Sequence, residues 1–151
     1  MVLLRELYSL QILESIRVRV YDGMSYIGSS AGANIAGFSV QTTNDMPIVQ
    51  APSLHALELV PFNINPHYLD PDPASTFKGE TREDRLLQFH EYNTTPVLAL
   101  REGTMAEIVD TNFRIIGASS ARLFGAGLPP QDLSPNAQFS PVNGLLVSGA
   151  P

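Results

Sequence analysis

The 151-residue chain contains no cysteine. That absence excludes a disulfide framework, a thiolate zinc site and a cysteine nucleophile, so covalent catalysis would have to use oxygen or nitrogen. Basic residues are scarce. Nine Lys and Arg against fifteen Asp and Glu give 9 − 15 = −6, the wrong sign for neutralising phosphates or coating an anionic membrane, so neither a nucleic acid nor a membrane is an expected partner. Long apolar runs are missing too. Residues 24–44 carry no charge but hold Ser, Asn, Gln and Thr throughout, and cannot supply the ~20 mostly apolar residues of a bilayer span. Met1-Val2-Leu3-Leu4-Arg5-Glu6-Leu7 puts charges where a signal peptide is apolar, with no small-residue cleavage site behind it. A soluble, cytoplasmic protein is expected.

What is present fits a packed core: 44% apolar and 16% charged residues, in a length that suits one domain of ~150 residues. Apolar residues recur every three or four positions from Leu3 to Val20, predicting one amphipathic helix over Val2–Val20 stopped by Asp22-Gly23. A short strand is expected at Met24–Gly28, then a tight turn and a helix over Ala31–Phe38. Further along, a strand is predicted around Val60–Ile64, a helix from Thr81 with a cap from Asp84, a buried strand at Val97–Leu100, and a hairpin of Met105–Val109 with Phe113–Gly117. Alternation of helix and strand suggests the α/β class. After about Arg122 the composition turns to Gly, Pro, Ser, Asn and Gln, which reads as tail rather than core.

Gly28-Ser29-Ser30-Ala31-Gly32 matches G-x-S-x-G at a predicted strand-to-helix junction, the context of a nucleophile elbow. Chance gives roughly 0.07 such strings in a chain with this Gly and Ser content, so the match calls for a test against its neighbours. The two glycines would let the backbone turn sharply, and Ser30 would sit where the Ala31 N–H can donate to an oxyanion. A serine needs a base, and the imidazoles are His55, His67 and His90. His90 lies in a predicted helix and His55 in an irregular stretch, where solvation or packing explains them. His67 follows Asn65-Pro66 at a strand end, where open α/β sheets collect ligands. Two loop acids, Asp45 and Glu102, are candidates to orient it. Glu102 has the more rigid setting, at the end of the Val97–Leu100 strand.

Gly28-Ser29-Ser30-Ala31-Gly32-Ala33-Asn34, Thr42-Thr43-Asn44-Asp45-Met46-Pro47-Ile48-Val49, Asn63-Ile64-Asn65-Pro66-His67, Lys78-Gly79-Glu80-Thr81-Arg82-Glu83 and Glu102-Gly103 together resemble peptidase E, the α-aspartyl dipeptidase family. The resemblance implies a cytoplasmic serine peptidase on a class I glutamine-amidotransferase-like three-layer α/β sandwich with a mostly parallel sheet. Its substrates would be small peptides, Asp-X dipeptides, and no cofactor or metal ion enters the reading. By resemblance Ser30 is the nucleophile, His67 the general base, Asp45 or Glu102 the acid, and Arg82 the partner of the substrate's aspartate side chain. Arginine suits that task because its planar fork bonds a carboxylate through two parallel hydrogen bonds.

Residues 1–136 are matched to the C-terminal portion of such a catalytic domain, and 137–151 are expected to form an irregular tail. The family's opening βα region, with a Gly-Gly-Asn-Thr-Phe turn that supplies a second oxyanion donor, has no counterpart here. The domain is therefore expected to be truncated at the N-terminus, poorly active alone, and in need of a homo-oligomer or a completing N-terminal segment. A second reading is a non-catalytic remnant acting as an interaction module. A third, an ordinary α/β-hydrolase esterase, shares the elbow but leaves Lys78–Glu83 unexplained.

Overall fold

The opening apolar run folds as two helices, α1 (Val2–Ser9) and α2 (Leu13–Tyr21), in the computed structural model, which describes residues 1–76, 78–110, 112–136, 138–142 and 145–148. The single helix expected over Val2–Val20 is broken at Gln11, which adopts φ 55°. Its N–H reaches the Tyr8 carbonyl at 3.0 Å, and the Ile12 N–H reaches Leu7 at 3.2 Å. These are the paired bonds that close a helix on a left-handed residue. Glycine usually fills that place; glutamine there leaves no mark in the apolar period. The same closure ends α2 at Gly23, φ 102°, whose N–H bonds the Val20 carbonyl while Met24 bonds Arg19, both at 3.0 Å.

Two compact units make up the chain, Met1–Pro66 and His67–Pro151. In the first unit, Leu4, Leu7 and Leu13 join Ile35, Val40, Ala51, Ala56 and Leu57 in one core. Met24–Gly28 runs without the expected strand pairing among the described residues, because a strand exists only where a second backbone takes up its N–H and C=O groups. Helix α3 (Ala31–Ala36) ends at Gly37, where a Cβ would stand 2.9 Å from the Phe62 carbonyl oxygen. Strand β1 (Asn63–Pro66) starts three residues later than expected. Buried amides tie these pieces together: Asn34 Nδ2 donates to the Ile64 carbonyl at 2.7 Å, the Ser39 N–H donates to Asn63 Oδ1 at 2.8 Å, and Asn65 Nδ2 donates to the Thr42 carbonyl at 2.6 Å. Each replaces a bond to water lost on burial.

The second unit begins with helix α4 (Arg82–Tyr92), started by the expected capping box: Thr81 Oγ1 accepts from the Asp84 N–H and the Asp84 carboxylate accepts from the Thr81 N–H. Strand β2 (Val97–Leu100) is buried along its whole length, and β3 (Thr104–Val109) pairs with β4 (Asn112–Gly117) as the predicted antiparallel hairpin. After these come β5 (Ala121–Phe124), β6 (Gln131–Leu133), β7 (Gln138–Val142) and β8 (Leu145–Ser148). β5 pairs with β2 and with β6, and β7 with β4 and with β8, all antiparallel. The mostly parallel arrangement is therefore not found among these pairs. The β5–β6 connection, 125–130, is too short for the helical crossover that parallel neighbours need. Nor is the segment after Arg122 all tail: Leu123, Phe124 and Leu133 are buried, and Phe124 joins Tyr68, Leu86, Val97 and Ala99 in a second core. Its Gly and Pro lie between short strands rather than replacing them.

Replacing Thr81 with alanine removes one half of the capping box. It should cost about 1 kcal/mol, seen as a lower urea midpoint with an unchanged slope.

Candidate active site

Ser30 stands immediately before α3 with φ 52° and ψ −116°. This is a conformation that costs a non-glycine residue ~1–3 kcal/mol and persists only where its surroundings impose it. Gly28 is part of that imposition, since a Cβ there would lie 2.5 Å from the Gly32 carbonyl oxygen and 2.8 Å from the Tyr26 ring. The expectation that Gly32 must also lack a side chain is corrected: the nearest atom to a Cβ there is the Tyr26 hydroxyl, at 3.9 Å. That hydroxyl donates to the Gly32 carbonyl at 2.6 Å, and burial pushes its pKa up, so it stays a donor. Ala31 is the first residue of α3, where a backbone N–H has no partner within its own helix.

The Thr42–Asp45 motif divides its work. Thr42 and Asn44 hold the end of β1, the first through its carbonyl on Asn65 Nδ2, the second by donating to the Pro66 carbonyl at 3.0 Å and accepting from Asn65 Nδ2 at 3.2 Å. Asp45 is exposed, and its Oδ2 lies 3.3 Å from the Met1 ammonium.

His67 follows β1 with φ 57° and opens the second unit. Its Nδ1 lies 2.5 Å from Glu102 Oε1. An ionised carboxylate can only accept, so this contact suits a hydrogen on Nδ1, and in the neutral ring that tautomer leaves on Nε2 the lone pair a base needs. Glu102 comes two residues after β2, and Gly103 turns the chain behind it with φ 73°. The other imidazoles are engaged elsewhere: His55 Nδ1 is 3.4 Å from Glu58 Oε1, and His90 Nδ1 is 3.1 Å from the Asn93 carbonyl.

Charged residues surround the stretch after His67. Arg101 bonds both oxygens of Asp70 at 2.7 Å and Asp132 at 2.8 Å, Arg122 reaches Asp70 at 3.2 Å, and the Tyr68 hydroxyl donates to Glu83 at 2.9 Å. The Arg101 hydrogen bond, above all, holds the Asp70 carboxyl below the usual aspartate range, and Asp70 in turn raises the Arg101 pKa. Burial first, and then Glu83, pushes the Tyr68 hydroxyl far up. Sequence reading overlooked Asp70 and Arg101. The signal lay in their adjacency, since Arg101 directly precedes Glu102 and Asp70 lies three residues past His67, but no motif marks it.

Arg82 is the first residue of α4, and its Nη1 is buried without a hydrogen-bond partner among the described residues. An unpaired buried guanidinium N–H is costly and is relieved by an incoming acceptor. Of the six sequence-chosen residues, the geometry therefore couples His67 with Glu102. Ser30, Ala31 and Asp45 belong to the first unit and Arg82 to the second. Among the described residues no group of three or more His, Asp or Glu is placed to hold a metal ion, and no helix is long and apolar enough to cross a membrane.

Residues 1–116 match the family model described as Peptidase family S51. The chain is 49% identical over 140 residues to a protein of Drosophila melanogaster named "Probable alpha-aspartyl dipeptidase", covering 92% of this chain and 58% of that one. It is 50% identical over 138 residues to "Peptidase E" of Streptomyces coelicolor, covering 91% and 57%. It thus spans somewhat more than half the length of these curated relatives.

The glycine geometry makes a paired prediction. Gly28→Ala should lower stability by ~1–3 kcal/mol, because the backbone of Gly32 must move. Gly32→Ala should be neutral or stabilising by up to ~1 kcal/mol, as alanine replaces glycine in a helix. Urea midpoints of the two variants measured side by side check both signs.

Proposed function

The chain belongs to peptidase family S51, and on that premise we propose that it carries the catalytic residues of a serine dipeptidase acting on dipeptides with N-terminal aspartate. The observation that carries the proposal is the His67–Glu102 couple, an imidazole whose Nδ1 is engaged by a carboxylate. In this reading Ser30 Oγ attacks the scissile carbonyl carbon while its proton passes to His67 Nε2, and the Ala31 N–H takes part of the charge on the oxyanion. The C–N bond then breaks, and the leaving amine takes the proton from Nε2. Water attacks the acyl-enzyme in turn, gives its proton to Nε2, and Ser30 recovers it as aspartate leaves. Glu102 stabilises the imidazolium at each stage.

Arg82 is proposed to pair with the substrate's side-chain carboxylate; its unpartnered buried Nη1 supports that role. Asp45 is proposed to receive the substrate's α-ammonium, as an exposed loop carboxylate can pair with a cation. Residues 1–136 are then the C-terminal portion of a class I glutamine-amidotransferase-like domain. The cytoplasm is the proposed compartment.

A fluorophosphonate probe tests the nucleophile: it should label the wild type and not Ser30→Ala, and His67→Ala should label at least a hundredfold more slowly. Labelling that persists in Ser30→Ala would reject the assignment, and no labelling of the wild type at any concentration would favour the non-catalytic reading. Specificity has its own check. Arg82→Gln should lose ~2–5 kcal/mol of transition-state binding toward Asp-Leu, read as a fall in kcat/KM for Asp-Leu relative to Asn-Leu. An unchanged ratio would exclude Arg82 as the reader of the side chain.

A further inference from the structure

The His67–Glu102 couple poses a physical problem. Both side chains are exposed, 47% and 73%, and ion pairs washed by solvent hold little geometry of their own. Yet the contact is short, and His67 adopts a left-handed backbone that persists only when neighbours enforce it.

The enforcement lies one step away, in the residues next to the pair. Asp70 comes three positions after His67 and Arg101 one before Glu102. Arg101 Nε and Nη2 bond the two oxygens of Asp70 at 2.7 Å each, the bidentate geometry that fixes orientation as well as distance. Arg101 is itself held still. Its Nη1 donates to the carbonyl and the hydroxyl of Ser120 at 2.8 and 2.7 Å, its Nη2 also reaches Asp132 at 2.8 Å, and its side chain is 16% exposed over the Tyr68 ring. A backbone bond from the Tyr68 N–H to the Leu100 carbonyl at 2.8 Å joins the same two segments. Residues 67–70 and 100–102 are therefore cross-linked twice, and His67 and Glu102 project from the linked ends. Arg101 holds the Asp70 carboxyl below its usual range, so the clamp stays charged at neutral pH.

We infer that the Arg101–Asp70 pair is a positioning device for the His67–Glu102 couple, selecting the imidazole tautomer that carries hydrogen on Nδ1 and leaves Nε2 bare. The inference rests on the reading of His67 as base. Neither Arg101 nor Asp70 touches the reacting atoms in that reading, so both are positioning residues.

Tautomers can be read without turnover, from the ¹⁵N shifts of the two imidazole nitrogens in long-range ¹H–¹⁵N spectra of the intact chain, with the His67 signals assigned by their loss in His67→Gln. The wild type should show Nδ1 protonated and Nε2 bare as the dominant form. Asp70→Asn and Arg101→Lys, which keeps the charge but not the two parallel bonds, should each invert the ratio toward Nε2–H while the amide spectrum stays folded. Arg114→Gln, which removes the separate Arg114–Glu107 pair at 2.8 Å, should leave it unchanged. A folded Asp70→Asn or Arg101→Lys with the wild-type tautomer overturns the proposal. So does loss of the fold in both, since the pair would then support the unit as a whole. Survival of the Nδ1–H form in Glu102→Ala would instead remove the couple itself, and with it the reading of His67 as base, before any clamp variant is considered.

Discussion

A buried amide must be hydrogen-bonded or it costs the fold the bond to water it gave up, and in the first unit that requirement organises the chain around β1. Asn34, Ser39, Thr42 and Asn44 all place a bond on residues 63–66. Those bonds connect helix α3, the turn after it and the Thr-Thr-Asn loop to one four-residue strand. The position of Pro66, and so the point at which His67 emerges, is determined by side chains far away in sequence. Apolar packing alone would not give that precision, because it is tolerant of small shifts.

Strain follows from the same rigidity. Ser30 and His67 both have positive φ, a state a residue with a Cβ enters only under constraint. At Ser30 the constraint comes from Gly28, which lets the backbone pass against Gly32. At His67 it comes from a strand end held by asparagines on one side and, on the other, from the Tyr68–Leu100 bond and the Asp70–Arg101 pair. Ser30 and His67 thus share with Gln11, Glu58, Asp110 and Asn136 a positive φ, and at these two the constraining bonds are the ones named above. A reactive group needs this arrangement, since its orientation must survive thermal motion in an exposed place.

The elements that were legible were those whose signal is local. Thr81 and Asp84 announce a helix start, Val97–Leu100 a strand buried on both faces, and the run flanking Asp110-Thr111-Asn112 a hairpin; each was found. The errors came where a distant partner decides. The break at Gln11 is closed by bonds a Gln makes as readily as a Gly once its neighbours hold it. Met24–Gly28 had the composition of a strand but no partner among the described residues to pair with. Leu123, Phe124 and Leu133 lie in Gly- and Pro-rich surroundings, yet they are buried because β5 pairs with both β2 and β6.

For the candidate site the division is similar. Residue type and spacing were enough to single out Ser30 and His67 as candidates and to leave the acid between Asp45 and Glu102, because elbows and strand ends are written in short strings; Arg82 entered only through the family resemblance. Strings cannot say which carboxylate meets the imidazole, since both acids are loop residues 22 and 35 positions from it. Tertiary structure brought Glu102 to His67 Nδ1. It also brought Arg101 onto Asp70, 31 residues away. The physical reason is range. Turn, cap and burial preferences act over a few residues and can be read from sequence, whereas an ion pair or a single hydrogen bond exists only once two segments have been folded to within about 3 Å.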